Sequence, residues 1–211
     1  STSRGLGDVY KRQELEMGNN NYFRGGRTYE AALLYQLYGQ FYAVQSQYTD
    51  AVPWFEKALA TDKMPRIGAQ EVRFQLAQTY FMIGKYENVI SLLEEFIRVG
   101  ERYKYPVSAR ANLLMSYSHG RLEQYEPSYY HIKQANNKSD KPQIDWIEYA
   151  FSLAMKLENL DDAEDLGTRL LFLEPNKKKY WNQVSALYFA KGQEVPFTEN
   201  VVTIDILSLI H

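Results

Sequence analysis

Cysteine is missing from all 211 residues of this chain. Its absence excludes disulfide bonds, thiolate metal sites and a cysteine nucleophile together. It fits a reducing or an oxidising compartment equally well, so it does not indicate where the protein acts. Long apolar runs are missing too, because none reaches the roughly 18 residues that a membrane-spanning helix requires.

An excess of charge of one sign is also missing. Lys and Arg number 24 against 26 Asp and Glu, which leaves a formal net charge of −2. Binding to nucleic acid usually depends on a basic stripe, and attachment to a membrane surface depends on a similar excess of positive charge. We therefore expect no nucleic-acid partner and no direct membrane insertion.

The composition is otherwise that of a folded protein. Hydrophobic residues make up 45% of the chain and charged residues 24%, which argues against disorder as the main state. The length fits one ordinary domain or one short repeat array. Aromatic residues are frequent, with 18 Tyr and 10 Phe.

The aromatic residues recur in one pattern. Each copy begins with an aromatic residue, which is followed by an apolar residue, a small residue and then Tyr. A turn comes next, and after it an Ala and a further apolar residue. Gly39, Ala77 and Ala150 take the small position, where two helices would approach most closely. The equivalent residues of successive copies are Tyr42, Tyr80, Tyr117, Leu153 and Tyr188, spaced by 38, 37, 36 and 35 residues. This spacing indicates a helix-turn-helix repeat of about 34 residues with longer connections.

Proline positions agree with this division. Pro53 and Pro127 fall near the first turn of a second helix, which tolerates proline. The others are expected between units or after a final helix, at Pro65, Pro106, Pro142, Pro175 and Pro196. The sequence therefore predicts an all-α fold, a right-handed superhelix of antiparallel helix pairs of the tetratricopeptide-type α-α solenoid.

Both ends of the chain look foreign to the repeat. Residues 1–13, STSRGLGDVYKRQ, resemble translated sequencing-adapter sequence, and residues 206–211 include LSLIH, which resembles its other end. We expect these segments to be non-native and residues 14–205 to form a helical repeat domain truncated at both ends. Within it, residues 14–30 would end an earlier unit, whereas 201–210 read as strand-like. A flexible N-terminus and an apolar C-terminal segment are the alternative.

Two segments resemble a particular family beyond the generic repeat. They are LAQTYFMIGKYENVISLLEEFI at 76–97 and the stretch 141–192, in which Lys141-Pro142 precedes Trp146 and Pro175 precedes Tyr180-Trp181. Together they resemble the periplasmic tetratricopeptide-repeat proteins that accompany TonB systems in Gram-negative bacteria. The resemblance implies export to the periplasm and partners of the TonB, ExbB and ExbD type, and it carries no catalytic residues.

The first helices of such arrays line a groove that accepts a peptide or a helix. The register above places nine candidate partner-binding residues there: Phe74, Gln78, Phe81, Met82, Asn112, Met115, Ile147, Phe151 and Met155. Gln36, Gln40, Ala111, His119, Asn182 and Phe189 are further groove-facing candidates. The set is more apolar than charged and lacks a Lys/Arg clamp for a carboxylate, which favours a partner with an apolar stripe. Packed core is the alternative for each Phe and Met.

Candidate catalytic chemistry is sparse. His119 and His131 lie on different predicted helices without a third metal ligand, and His211 lies in the suspect tail. The acidic cluster at 161–165 is typical of a helix N-terminus, and the basic turn at 177–179 is typical of a solvated loop. We therefore expect no catalytic, metal or cofactor site, and hence no enzyme.

The resulting prediction is a non-catalytic scaffold for a protein or peptide partner. Periplasmic location rests on the resemblance. A cytoplasmic adaptor in secretion, pilus assembly or regulation fits the repeat equally well. A regulatory domain of a larger enzyme is a third possibility.

Overall fold

The computed structural model describes residues 28–141 and 143–193. In chain order, the helices are α1 (Tyr29–Val44), α2 (Tyr48–Ala60), α3 (Arg66–Met82), α4 (Tyr86–Tyr103), α5 (Ala109–Arg121), α6 (Tyr125–Asn137), α7 (Ile144–Lys156), α8 (Leu160–Leu173) and α9 (Lys178–Ala190). No strand occurs in this part of the chain. Predictions about 1–13, most of 14–30, Pro142, Pro196 and everything beyond residue 193, including 201–210 and the 206–211 tail, lie outside the described residues.

Within each unit, consecutive helices pack against one another, as the predicted helical hairpins require. The chain divides into two compact units between Arg98 and Val99. In unit 1, which ends at Arg98, α1 packs on α2 and α2 packs on α3. In unit 2, which begins at Val99, α5 packs on α6, α6 on α7, α7 on α8 and α8 on α9. Helix α4 spans the division between the units.

Local signals explain where several helices begin. Thr28, Ser108 and Asn159 each accept a hydrogen bond from the backbone N–H three residues later. Such caps satisfy N–H groups that the first helical turn leaves unpaired. Pro127 is the third residue of α6, in the first turn as predicted. Pro53 is the sixth residue of α2, which is further inside the helix than predicted.

One turn geometry ends the first helix of every described hairpin. Its central residue has a positive φ, and these residues are Ser46, Gly84, Glu123, Glu158 and Gly192. The next residue donates its backbone N–H to the carbonyl five residues earlier, at 2.9–3.0 Å, and the accepting residues are Tyr42, Tyr80, His119, Ala154 and Tyr188. This bond closes the helix with a residue in the left-handed region.

These accepting residues give the repeat register, and they correct the predicted one. Their spacings are 38, 39, 35 and 34 residues. The prediction placed Tyr117 where the structure has His119, and Leu153 where it has Ala154. The register was therefore wrong by two residues in α5 and by one in α7. The cause in α5 is a buried His at the position that holds Tyr in α1, α3 and α9.

In two of the hairpins a phenylalanine ring packs on a glycine of the partner helix. Gly39 of α1 faces Phe55 of α2, and a Cβ atom at residue 39 would lie 2.6 Å from the ring. In the hairpin of α7 and α8 the pair is inverted. Phe151 takes the first-helix position, and a Cβ atom on Gly167 would lie 3.1 Å from its ring. The predicted small residue, Ala150, is one position out of register.

The hairpin of α5 and α6 uses two small residues at its closest approach. The Ser116 hydroxyl donates to the Ser128 carbonyl at 2.7 Å, and the Ser128 hydroxyl donates to the Ser116 carbonyl at 2.8 Å. Both residues are fully buried. The reciprocal bonds satisfy hydroxyl groups that would otherwise be costly to bury.

Substitution of Gly39 by Ala should destabilise unit 1 by about 1–3 kcal/mol, because the methyl group overlaps the Phe55 ring. Gly68 of α3 is the matched control. A Cβ atom there meets nothing nearer than 3.9 Å, so Gly68→Ala should be neutral or stabilising by up to about 1 kcal/mol. Urea unfolding of both variants measures the difference. Equal effects at the two sites would contradict this account of the hairpin.

Candidate partner-binding surface

The exposed side of α1 and α3 in unit 1, here called the first-helix face of unit 1, is mainly apolar. Its exposed apolar side chains are Leu33, Leu37 and Val44 on α1 and Ile67 and Met82 on α3, and the exposed Gln78 and Glu71 of α3 lie on the same side. Val44 is 86% exposed and Met82 is 56% exposed. The opposite side of α1 is covered, since α2 packs against it. Exposed apolar patches are candidates for interaction surfaces.

A cleft of about 220 Å³ opens within this face. It is lined by Gln40, Ala43, Val44, Tyr48, Phe55, Gln75, Gln78, Thr79 and Met82. None of these residues carries a charge at neutral pH. The charged Glu71 lies on α3 eleven residues before Met82, which is about 16 Å along the helix. The cleft is therefore suited to an uncharged group.

Glutamine amides provide the polar part of this cleft. The Gln36 Nε2 atom donates to the Gln75 Oε1 atom at 3.3 Å, which joins α1 to α3. The side chain of Gln78 is exposed beside them. Glutamine offers both a donor and an acceptor, the pair that an extended peptide backbone requires.

The corresponding side of unit 2 is charged. In the observed register, the residues equivalent to this face include Arg110, Tyr117 and Arg121 on α5, Asp145, Glu148, Tyr149 and Lys156 on α7, and Lys179 on α9. Lys179 Nζ donates to Glu148 Oε1 at 2.8 Å, and this hydrogen bond holds the pKa of Glu148 below its usual value. This side of unit 2 thus carries Lys and Arg side chains, whereas the cleft of unit 1 is lined without them.

Tyr149 fills the space in unit 2 that is open in unit 1. Its ring meets Tyr117 edge-on at a centroid distance of 5.1 Å, and its hydroxyl lies 3.0 Å from Ser128 Oγ. Gly120 lies beside it, and a Cβ atom there would overlap the Tyr149 hydroxyl. In unit 1 the residue equivalent to Tyr149 is Gln75, which leaves the cleft unfilled.

The four predicted site residues of unit 1 divide into two groups. Gln78 and Met82 line the cleft and are exposed. The ring of Phe74 packs against that of Phe96 at a centroid distance of 5.9 Å, and the ring of Phe81 meets that of Tyr86 edge-on at 5.4 Å. Phe74 and Phe81 are therefore half-buried between α3 and α4. Gln36 and Gln40, the other candidates of this unit, are half-buried beside the cleft.

Most predicted site residues of unit 2 are packed inside. Asn112, Met115, Ile147 and Phe151 are buried, and Met155 is half-buried. The register shift is the reason, because it moves these side chains from the open face towards the hairpin partner. Their part in partner binding stays a prediction. Among the further candidates, Ala111 and His119 are buried, Asn182 is half-buried and Phe189 is exposed.

The prediction omitted the apolar residues of α1. Leu33, Leu37 and Val44 recur at helical spacing, apart from the Tyr38 and Tyr42 stripe that packs on α2. A helix with apolar residues on two faces has one face left for another contact, and this signal was available in the sequence.

The two histidines of the α5 and α6 hairpin stack on one another. Their rings are parallel within 4° at a centroid distance of 5.6 Å. His119 Nδ1 lies 2.6 Å from Gln124 Oε1, and His131 Nδ1 lies 3.3 Å from Asn112 Oδ1. Burial, His119 and Lys138 lower the pKa of His131 to about 4. Among the described residues, no group of three or more His, Cys, Asp or Glu side chains is placed to hold a metal ion.

The acidic cluster at the start of α8 forms structural contacts. Asp162 accepts a hydrogen bond from Lys133 Nζ at 2.7 Å and another from the Tyr129 hydroxyl at 2.6 Å, and these bonds lower its pKa. Glu164 accepts from the Tyr188 hydroxyl at 2.6 Å and also pairs with Lys191. These carboxylates therefore join neighbouring helices of unit 2.

Acidification should destabilise unit 2 through His131. Its pKa is about 4 when folded, against 6.5 for an unperturbed histidine. The unfolded chain therefore binds more protons between these values, and stability falls as pH drops from 6.5 to 4. Because His131 is partly exposed, we expect a loss of about 1–2 kcal/mol. Unfolding of wild type and His131→Gln across this range measures it, and an identical pH dependence in the two proteins would contradict the assignment.

Solved structures of other proteins share this fold. A MamA structure matches with a TM-score of 0.63 at 16% identity, over 76% of this chain and 82% of that chain. YrrB, described as a tetratricopeptide-repeat protein with an unusual peptide-binding site, matches with a TM-score of 0.65 at 13% identity, over 84% of each chain. PilF of Pseudomonas aeruginosa matches with a TM-score of 0.57 at 16% identity, over 85% of this chain and 74% of that chain.

These matches establish the fold alone, because the identities are low. The predicted all-α fold class, the tetratricopeptide-type α-α solenoid, is confirmed. Neither a protein-family model nor a curated protein matches the sequence significantly. Within the described residues, no helix has the length and apolarity needed to cross a bilayer.

Proposed function

We propose that this chain is a non-catalytic protein-interaction scaffold that binds a partner segment on the first-helix face of unit 1. One observation carries the proposal: exposed apolar side chains, Val44 and Met82 among them, surround an uncharged cleft. Burial of apolar surface contributes about 25 cal/mol per Å², so a partner that covers this face gains affinity. YrrB, which has the same fold, is described as having a peptide-binding site, and this supports a peptide-like occupant.

In finer detail, the scaffold acts in the periplasm beside a TonB-type transport system, with partners of the TonB, ExbB and ExbD type. The support is the resemblance of residues 76–97 and 141–192 to periplasmic tetratricopeptide-repeat proteins of such systems. An adaptor needs no catalytic group, and an apolar face is enough to hold a segment of a larger complex.

Binding to a purified periplasmic domain of a TonB-type protein tests both parts of the proposal. We expect saturable binding, and a rise in Kd of about 10-fold or more when Val44→Asp is combined with Met82→Asp, because two charges would enter the apolar contact. Phe172→Asp is the matched control. Phe172 is 84% exposed, as Val44 is 86% exposed, but it lies on α8, a second helix of unit 2.

Two results would contradict this proposal. Absence of binding to the TonB-type domain would remove the finer assignment. Equal loss of affinity in the double variant and in Phe172→Asp would show that the first-helix face of unit 1 is not the contact. Circular dichroism of all variants checks that the helices are retained.

The cellular location has a separate test. Amplification and sequencing of the gene from its source, outward past residues 1–13 and 206–211, should reveal a cleavable signal peptide upstream and genes of the ExbB or TonB type nearby. A cytoplasmic start or a fused catalytic domain would contradict the periplasmic assignment and favour one of the two alternatives.

A further inference from the structure

The structure contains two versions of the same space between neighbouring first helices. In unit 2 the space lies between α5 and α7, and the ring of Tyr149 occupies it. In unit 1 the space lies between α1 and α3, and it is an open cleft of about 220 Å³. Gln75, five residues before Tyr80, stands where Tyr149 stands five residues before Ala154.

The open cleft has the lining that an aromatic ring requires. Ala43, Val44, Phe55 and Met82 supply apolar contact, and no charged residue lines it. The hydrogen bond from Gln36 to Gln75 holds the amide of Gln75 to α1. Aromatic side chains contribute large buried areas and pack well against aliphatic and thioether groups.

We propose that this cleft is a socket for an aromatic side chain of a partner segment and that it accepts phenylalanine in preference to tyrosine. The side chain of Tyr149 within the same fold shows the kind of group that this space holds. The inference rests on the proposed function, because it names the chemistry of the segment that unit 1 binds.

The preference for phenylalanine follows from two residues. The Tyr149 hydroxyl lies beside Gly120, where any Cβ atom would overlap it, and the equivalent residue in unit 1 is Ala43. The same hydroxyl lies 3.0 Å from Ser128 Oγ, and the equivalent residue in unit 1 is the buried Ala51. A tyrosine hydroxyl placed as in Tyr149 would therefore meet the Ala43 methyl group and lose the hydrogen bond that Ser128 provides in unit 2.

Three pentapeptides with blocked ends provide the probes: acetyl-Gly-Ser-Xaa-Ser-Gly-amide with Phe, Tyr or Glu in the middle. Titration into the ¹⁵N-labelled full chain, followed by heteronuclear NMR, should shift the amide signals of Val44, Gln78 and Met82 first. We expect a Kd in the millimolar range for the Phe peptide, about 10-fold weaker binding of the Tyr peptide, and no saturation with the Glu peptide.

Two double variants make the test specific. Ala43→Gly with Ala51→Ser copies Gly120 and Ser128, and it should abolish or reverse the preference for phenylalanine. Ala43→Gly with Gln75→Tyr supplies an internal ring as in unit 2, and it should abolish binding of every peptide while thermal unfolding stays cooperative. In both variants circular dichroism reports whether the helices are retained.

Several outcomes would overturn the socket. The first is that the Phe peptide shows no saturable binding. The second is that the Phe and Tyr peptides bind with equal affinity both to the wild type and to the Ala43→Gly, Ala51→Ser variant. The third is that the changes in amide signals centre on Phe172 in unit 2. Failure of the broader proposal is distinguishable. If the chain binds the Phe peptide but no TonB-type domain, the socket proposal stands and the TonB assignment fails. If the chain binds the TonB-type domain but shows no preference for the Phe peptide, the TonB assignment stands and the socket proposal fails.

Discussion

In two of the hairpins, the contact of a phenylalanine ring with a glycine sets the distance between the two helices. Phe55 can lie flat against α1 only because residue 39 is glycine, and Gly167 lets α8 approach Phe151 in the same way. Once two helices are held at this distance, the remaining surface of the first helix is determined. In unit 1 this packing leaves the apolar face of α1 exposed, and the Phe55 ring also lines the cleft.

A common turn with different neighbouring residues explains why the two units have different faces. Each first helix ends with the same backbone hydrogen bond, so equivalent residues point in equivalent directions. The chemistry then depends on single positions. Tyr149 closes the space in unit 2, and Gln75 leaves it open in unit 1. Val44 and Met82 are replaced by Arg121 and Lys156, so one unit offers apolar contact and the other offers charge.

The sequence was sufficient for the fold and insufficient for the register. Helical period and repeat length identify the hairpins, because packing of an amphipathic face needs only the spacing of apolar residues. The register failed at α5, where Tyr117 fits the pattern better than the buried His119. The left-handed turn after it is formed by Glu123, and a glutamate gives no such signal. Periodicity also could not show which of the two apolar stripes of α1 the second helix covers.

The inverted pair in unit 2 has a consequence for how such a chain can evolve. A chimaera that joined α1 to α8 would bring Gly39 opposite Gly167, and the reverse exchange would bring Phe151 opposite Phe55. The first leaves a void and the second an overlap, and both are destabilising. A crossover inside either of these hairpins would therefore destabilise the product, whereas a crossover that keeps both helices of a hairpin together preserves the match.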